Sequence, residues 1–296
     1  MMRPMRIGGF VIHGNDRATL GDCLDSLLSV CDEVITIDSC STDGSAELVR
    51  SKGIRSKVVP WQGYGAARQE AVKELAGFDY VFFLDSDEVL SPDAVAAFQR
   101  WRASKPTLPH YAFIRHDWAH LPTGSFVFRS EWQTRLVRYD AAVWRPEMIV
   151  HEALPPAERG KLTPIIEHRF LTSVDILVEK QDWYALLWGI QAHAEGKRAG
   201  SLFLKRPAHV FRNCVAKGGL LRGGLESVRV AWAVSRYHAF KHDYLRRISA
   251  GEFPEFVAAY REKRWLDLFA MRHLPRGGGA PAPPPAQAGG EAQPAS

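Results

Sequence analysis

This 296-residue sequence predicts an α/β fold: a parallel sheet with crossover helices, extended by antiparallel strands and followed by a basic helical region. Three observations lead there. Strand-like apolar runs and helical patterns alternate three times before Leu90, the pattern of a parallel sheet with right-handed crossovers. The alternation stops after Trp101, where strands of mixed character follow one another without helices between them. From Val174 onward the periodicity is helical and the charge turns positive.

Taken in order, Arg6 to Ile12 reads as a first strand ending in the turn-like His13-Gly14-Asn15-Asp16. Leu20, Leu24, Leu27 and Leu28 give Thr19 to Val30 a helical stripe. Glu33 to Ile37 is a second strand, and the loop Asp38 to Ser45 is rich in turn formers, with Thr42 or Asp43 able to cap the helix from Ser45 to Lys52. Ser56 to Pro60 is a short third strand. Gly63-Tyr64-Gly65 opens a helix from Ala66 to Leu75. Tyr80 to Leu84 is an unbroken apolar run with three aromatics, so it reads as a strand buried on both faces. Strands follow at His110–Trp118, Arg135–Tyr139 and Leu162–Ile166, with Arg129–Trp132 and Pro146–Glu152 between them as loops. Helices are expected at Val174–Lys197, Lys205–Lys217, Leu225–Tyr244 and Phe253–Met271. The first three of these are rich in aromatic or basic residues, and Leu225, Val228, Trp232 and Ala239 form the apolar side of the third.

Composition sets outer limits. With 46% hydrophobic and 24% charged residues, the chain can build a sizeable core. No run of about 18 apolar residues is present, so no membrane span is expected. Met1 to Arg6 leads straight into a strand, so no secretory signal is expected. Cys23, Cys31, Cys40 and Cys214 lack zinc or disulfide spacing and read as free thiols in a reducing compartment. The net charge of +5 is uneven: residues 197–276 carry 17 Lys/Arg against 6 Asp/Glu, leaving the rest acidic. Arg222, Arg229 and Arg236 recur every seven residues, the pattern of a helix resting on an anionic membrane surface over residues 205–247. An ordinary solvated face is the alternative. Residues 275–296 hold almost no large apolar side chain and are expected to be disordered. The expected division is 1–172, 173–274 and 275–296.

Three loops, His13–Asp16, Asp38–Asp43 and Asp85–Glu88, fall at strand ends that a parallel sheet gathers along one edge, where such sheets bind ligands. Asp85, Asp87 and Glu88 repel one another unless a cation lies between them. Asp85 and Asp87 alternate on an extended chain and so can share a divalent ion. A helix-capping acidic loop before Ser91-Pro92-Asp93 is the other reading.

Ile37–Ser45, Gly63–Ala71 and Phe83–Glu88, in that order, resemble the inverting family 2 glycosyltransferases. Val150-His151-Glu152 and Ile165-Ile166-Glu167-His168 are similar to the lipopolysaccharide core β-glucosyltransferase subgroup. The resemblance implies an A-type glycosyltransferase fold, Rossmann-like in its first half. It implies a nucleotide-sugar donor, Mg²⁺ or Mn²⁺ as cofactor, a lipid-linked or other saccharide acceptor, and work at the inner face of the cytoplasmic membrane. By position, Asn15 borders the nucleotide, with His13 beside it. Asp38 accepts from uracil or ribose, and Arg68 meets base or phosphate. Asp85 faces ribose or sugar, and His151 lies in the acceptor loop. Arg135, with Arg138, is a candidate for phosphate. Asp87 is the implied metal ligand, and His168 either completes its shell or is structural. Inverting transfer needs one general base. Asp117, Glu131, Asp140, Glu147, Glu152 and Glu167 are candidates, and Glu152 is preferred because it follows the apolar strand end Met148-Ile149-Val150.

Two other readings compete. Four apolar residues before Asp85-Ser86-Asp87 also resemble the nucleophile loop of haloacid-dehalogenase-type phosphatases, although Glu88 follows and three strands precede it. A non-catalytic module binding membrane or nucleic acid through the basic segment is the third; no nucleic-acid motif is present, and none is expected as a partner.

Overall fold

The computed structural model describes residues 4–150, 152–200 and 205–274. The candidate contact His151 and the tail 275–296 lie outside them. The first half alternates as expected: β1 (Ile7–His13), α1 (Arg17–Val30), β2 (Glu33–Asp38), α2 (Ser45–Ser51), β3 (Arg55–Val58), α3 (Tyr64–Glu74) and β4 (Tyr80–Asp85). Then come β5 (Glu88–Leu90), α4 (Ala94–Ala103), β6 (His110–Leu121), β7 (Gly124–Arg138) and β8 (Arg159–Leu171). The remainder is helical: α5 (Val174–Ala194), α6 (Lys205–Phe211) prolonged by a π-helical turn over Arg212–Ala216, α7 (Gly219–Ser249), α8 (Pro254–Arg261) and α9 (Trp265–Ala270).

One eight-stranded sheet runs in the order β3-β2-β1-β4-β7-β6-β8-β5. β1 to β4 are parallel, and β7 joins β4 antiparallel, pairing Phe82 with Leu136. The aromatics of β4 divide between the faces as a doubly buried strand requires. Phe82 packs edge-on against Phe98 of α4, while Phe83 stacks on Phe10 and meets Trp144. The core therefore has two layers, one under α1 and α4, the other under α3.

The second half departs from expectation in four places. β7 runs unbroken through Arg129–Trp132, expected as a loop, because it pairs with β6 along almost its whole length as a long hairpin. β8 runs parallel to β6, not antiparallel, and antiparallel to the short β5. The last expected helix is two, α8 and α9, because Lys263 takes a left-handed conformation (φ 56°) between them. α7 begins at Gly219, with non-helical Gly224 inside it, and its buried side is Ser227, Val230, Ala231 and Val234. Leu225 and Trp232 instead face outward, 80% and 51% exposed.

α5 and α7 pack together, and Ile149 and Val150 from the loop ahead of Glu152 join their apolar core. That loop is also pinned from the other side. Gly65 N donates to Met148 O (3.3 Å), and a Cβ at Gly65 would lie 2.3 Å from Arg145 O. The second glycine of the Gly63-Tyr64-Gly65 group is thus a close-approach position. Where α6 meets α7, His209 Nδ1 lies 3.0 Å from His238 Nε2. Burial lowers both imidazoles to about 4, helped at His209 by His238, Arg129, Arg212 and Lys217 and at His238 by Lys241, Arg212, Lys205 and His242.

Gly65→Ala should lower stability by about 1–3 kcal/mol, because the clash with a backbone carbonyl outweighs the ~1 kcal/mol gain in helix propensity. Urea denaturation measures it. Both histidines bind protons less readily folded than unfolded, so their contribution is present above the ordinary value of 6.5 and lost as pH falls toward 4. Thermal melts should show a decline on the order of 1–3 kcal/mol between pH 7 and 4.5, reduced in the His209→Gln/His238→Gln variant.

Candidate active site

The parallel strand ends carry the polar loops as the sequence implies. After Asp85 the chain turns through Ser86 and Asp87 into β5, whose pairing with β8 sets Glu88 opposite His168. Two clusters result.

The first is a buried ion network. Arg135, from β7, donates from Nη2 to Asp85 Oδ2 (2.6 Å) and to Glu88 Oε1 (2.5 Å), and from Nε to Glu88 Oε2 (2.8 Å). Arg68, near the start of α3, donates from Nη2 to Asp85 Oδ1 (2.7 Å) and from Nε to Glu152 Oε1 (2.9 Å). Arg115 of β6 adds a bond to Glu88 Oε1 (3.2 Å). The Phe83 ring underlies both main guanidiniums, with centroid distances of 4.8 Å to Arg68 and 5.1 Å to Arg135. Burial favours protonation of Asp85, but Arg135 and Arg68 outweigh it and hold the carboxyl well below the usual carboxylate range. Arginine, not a shared cation, therefore separates Asp85 from its neighbours.

The second cluster centres on Asp87. Its Oδ2 lies 3.4 Å from His168 Nε2, and His168 Nδ1 lies 2.6 Å from Asp117 Oδ1. Asp117 is 1% exposed and is also paired with Arg129 and with Arg115 (2.9 Å). Burial lowers His168, but hydrogen bonds to Asp117 and Asp87 overcome it and push the imidazole up to about 9. The two carboxylates thus favour a proton on Nε2, which a divalent ion bound there would displace. A carboxylate and an imidazole braced from behind by a second carboxylate fit a divalent ion. No cluster of three potential metal-ligating side chains occurs among the described residues, so Asp87 and His168 would hold the ion together with oxygens from a ligand or water.

Asn15 and Asp38 brace the loops between these clusters and β2. Asn15 (φ 61°) accepts from Thr42 N (2.7 Å), and Asp38, 2% exposed, accepts from Ser41 N (2.9 Å) and Ser41 Oγ (2.6 Å). Asp38 is thus turned into its own loop rather than onto an open rim. Among the described residues, three buried polar atoms at this edge have no partner: His13 Nε2, Ser39 Oγ and Arg68 Nη1. Burial lowers the pKa of His13, against the pull of Asp38, Asp16 and Asp43.

Of the six candidate bases, the structure employs four elsewhere. Asp117 holds His168, Glu131 pairs with Lys217, Asp140 pairs with Arg138 (2.6 Å), and Glu167 accepts from Trp118. Glu147 lies 3.6 Å from Lys263 at the surface. Arg138, a suggested phosphate contact, is committed to Asp140 and to Thr107 O. Glu152 pairs with Arg68 in the network, and with Arg68 and Arg135 it lines a cavity of about 440 Å³. Arg115 and Arg129 carry no signal in the sequence, since Arg115 meets Glu88 and Arg129 meets Asp117 across strands. The phosphatase reading fails here: guanidiniums engage both Asp85 oxygens, leaving no free nucleophile.

Residues 10–134 match the family model described as Glycosyl transferase family 2. The lipopolysaccharide core biosynthesis glycosyltransferase LpsC of Rhizobium meliloti is 28% identical over 245 residues, 76% of this chain and 86% of that protein. A glycosyltransferase of Rickettsia felis is 32% identical over 88 residues, 30% of this chain and 31% of that one. The crystal structure of glucosyl-3-phosphoglycerate synthase from Mycobacterium tuberculosis with Mn²⁺, UDP and phosphoglyceric acid aligns over 38% of this chain and 43% of that one, at 23% identity and a TM-score of 0.33. That likeness is too slight to bear on substrate. Residues 10–134 thus match a family 2 glycosyltransferase model, the fold is of the A type, and the chain resembles the lipopolysaccharide core subgroup.

Arg135→Met should destabilise the protein by about 3–5 kcal/mol, because it leaves Asp85 and Glu88 without their main counter-charge in the interior. Denaturant titration at neutral pH checks it.

Proposed function

We propose that this chain moves a hexose, glucose being the first to test, from a nucleoside diphosphate sugar onto a lipid-linked saccharide such as lipopolysaccharide core, with inversion. The observation that carries the reading is the pair Asp87–His168, braced by Asp117, beside an arginine-neutralised Asp85 at the carboxyl ends of parallel strands. The likeness to LpsC over 76% of this chain supports the acceptor class.

Mg²⁺ or Mn²⁺ held by Asp87 and His168 would supply Lewis-acid stabilisation of the diphosphate leaving group. The chain's own residues do the rest. The unpartnered Nη1 of Arg68, with His13 Nε2 and Ser39 Oγ, offers polar contacts to the nucleotide. Asn15 and Asp38 hold the loops around it. Asp85, one-third exposed, orients sugar hydroxyls from a carboxylate kept ionised by two arginines. Glu152 takes the proton from the acceptor hydroxyl as that oxygen attacks the anomeric carbon. His151, beside it in sequence, is proposed to contact the acceptor. A lipid-linked acceptor would be met at the inner surface of the cytoplasmic membrane, with the basic helical region of residues 173–274 facing it; no helix among the described residues is long and apolar enough to cross a membrane.

Thermal-shift measurements with a panel of nucleoside diphosphate sugars should show cation-dependent stabilisation by one of them. Asp87→Asn should abolish the cation dependence and cut transfer at least ~100-fold. Glu152→Gln should cut transfer by ~10²–10⁴ and leave donor binding nearly unchanged. Retained transfer and cation dependence in Asp87→Asn would refute the assignment.

A further inference from the structure

Between Lys205 and Arg236 the chain folds as a helical hairpin with an apolar outer face. α6 passes into its π-helical turn, Gly218 reverses the direction at φ 68°, and α7 departs from Gly219. The inner side is well defined. Asn213, Cys214, Gly219 and Ser227 are buried, and a Cβ at Gly223 would lie 2.3 Å from the ring of Phe126 on β7. With those positions inside, Phe211, Val215, Leu221 and Leu225 are left outward, at 62%, 57%, 93% and 80% exposure. Four large apolar side chains this exposed within 15 residues form a patch, not scatter.

The patch is held in place. Arg222, expected on a free basic stripe, is folded back: its Nε donates to Val127 O (2.7 Å) and its Nη2 to Lys217 O (2.8 Å). Arg229 pairs with Glu226 (2.8 Å). The surrounding charge is one-sided, with seven Lys/Arg and one acidic residue from Lys205 to Arg236. At the rim the guanidinium of Arg206 lies 4.0 Å from the Trp232 ring centre.

We infer that the Phe211–Leu225 hairpin inserts as a shallow wedge into the surface of an anionic lipid bilayer. An apolar tip ringed by cations and an interfacial Trp matches the acyl boundary beneath an anionic headgroup layer. Nucleic acid would leave the leucines in water, and a second copy would set like charge against like. The insertion also fixes a height for the active site. Gly223 rests on Phe126, and three residues further along β7, about 10 Å at ~3.4 Å per residue, Arg129 holds Asp117 and through it His168. A sugar displayed just above the headgroups lies within that reach. This consequence, unlike the insertion itself, rests on the glycosyltransferase reading.

The test is flotation of the full chain with vesicles of phosphatidylcholine alone or mixed with phosphatidylglycerol, comparing the unaltered protein with Leu221→Asp/Leu225→Asp. The unaltered protein should float with the anionic vesicles only. The variant should partition roughly a hundredfold less, with unchanged melting temperature and unchanged donor hydrolysis. Equal flotation of both proteins, flotation of neither, or a concentration-dependent dimer in sedimentation that the variant abolishes would overturn the inference. Anionic flotation lost in the variant, with no donor hydrolysis by either protein, would uphold the wedge and sink the enzymatic reading.

Discussion

The molecule depends on three guanidiniums buried among four carboxylates. Arg135 touches Asp85 and Glu88, Arg68 joins Asp85 to Glu152, and Arg115 joins Glu88 to Asp117. Desolvating so many charges costs several kcal/mol per ion, which is recovered only when geometry is good and most lone pairs are met. Both oxygens of Asp85 and of Glu88 are engaged. These contacts also tie α3, β4, β5, β6, β7 and the Glu152 loop together. The seam between the parallel and antiparallel parts of the sheet and the candidate active site are one construction.

That construction explains the division of labour among three carboxylates within four residues. Glu88, fully buried, is structural. Asp85 is neutralised by arginine and partly open. Asp87, beyond the turn, is left beside His168 and free to share it with a cation. Like charges that would otherwise force one another to protonate are supplied with counter-ions, Arg135 shared by Asp85 and Glu88, and His168 beside Asp87. A preorganised arrangement of this kind suits chemistry in which a diphosphate departs and a hydroxyl loses its proton at the same carbon.

The helical region is part of the site's support. Ile149 and Val150 pack among α5, α7 and α8, the Tyr64 and Tyr184 hydroxyls meet across the boundary, and α7 presses on the β6–β7 hairpin. The Glu152 loop is thereby held between Gly65 on one side and the helices on the other. The proposed wedge belongs to the same body, so contact with a bilayer would orient the catalytic edge as a rigid unit.

Much of this was legible in the residues. The apolar run of β4, the alternation before it and the turn-rich strand ends announce a parallel sheet with its ligands at one edge, since burial on two faces and helical spacing are local properties. Asp87 and Glu152 were legible as chemistry through motif and neighbourhood. His168 was legible there only as one option for the shell of Asp87, and what sets the two side by side was not: the three-residue β5, too short to show as a strand, pairs Glu88 with His168, 80 positions apart. Arg115 and Arg129 carried no signal for the same reason, and Leu225 and Trp232 sat on what helical spacing alone took for the core side. The sequence by itself determined which segments are strands and helices and which side chains can carry charge. Which charges neutralise one another, and which apolar face stays bare, was decided only by strand pairing and helix docking, because those contacts join residues whose local patterns hold no record of each other.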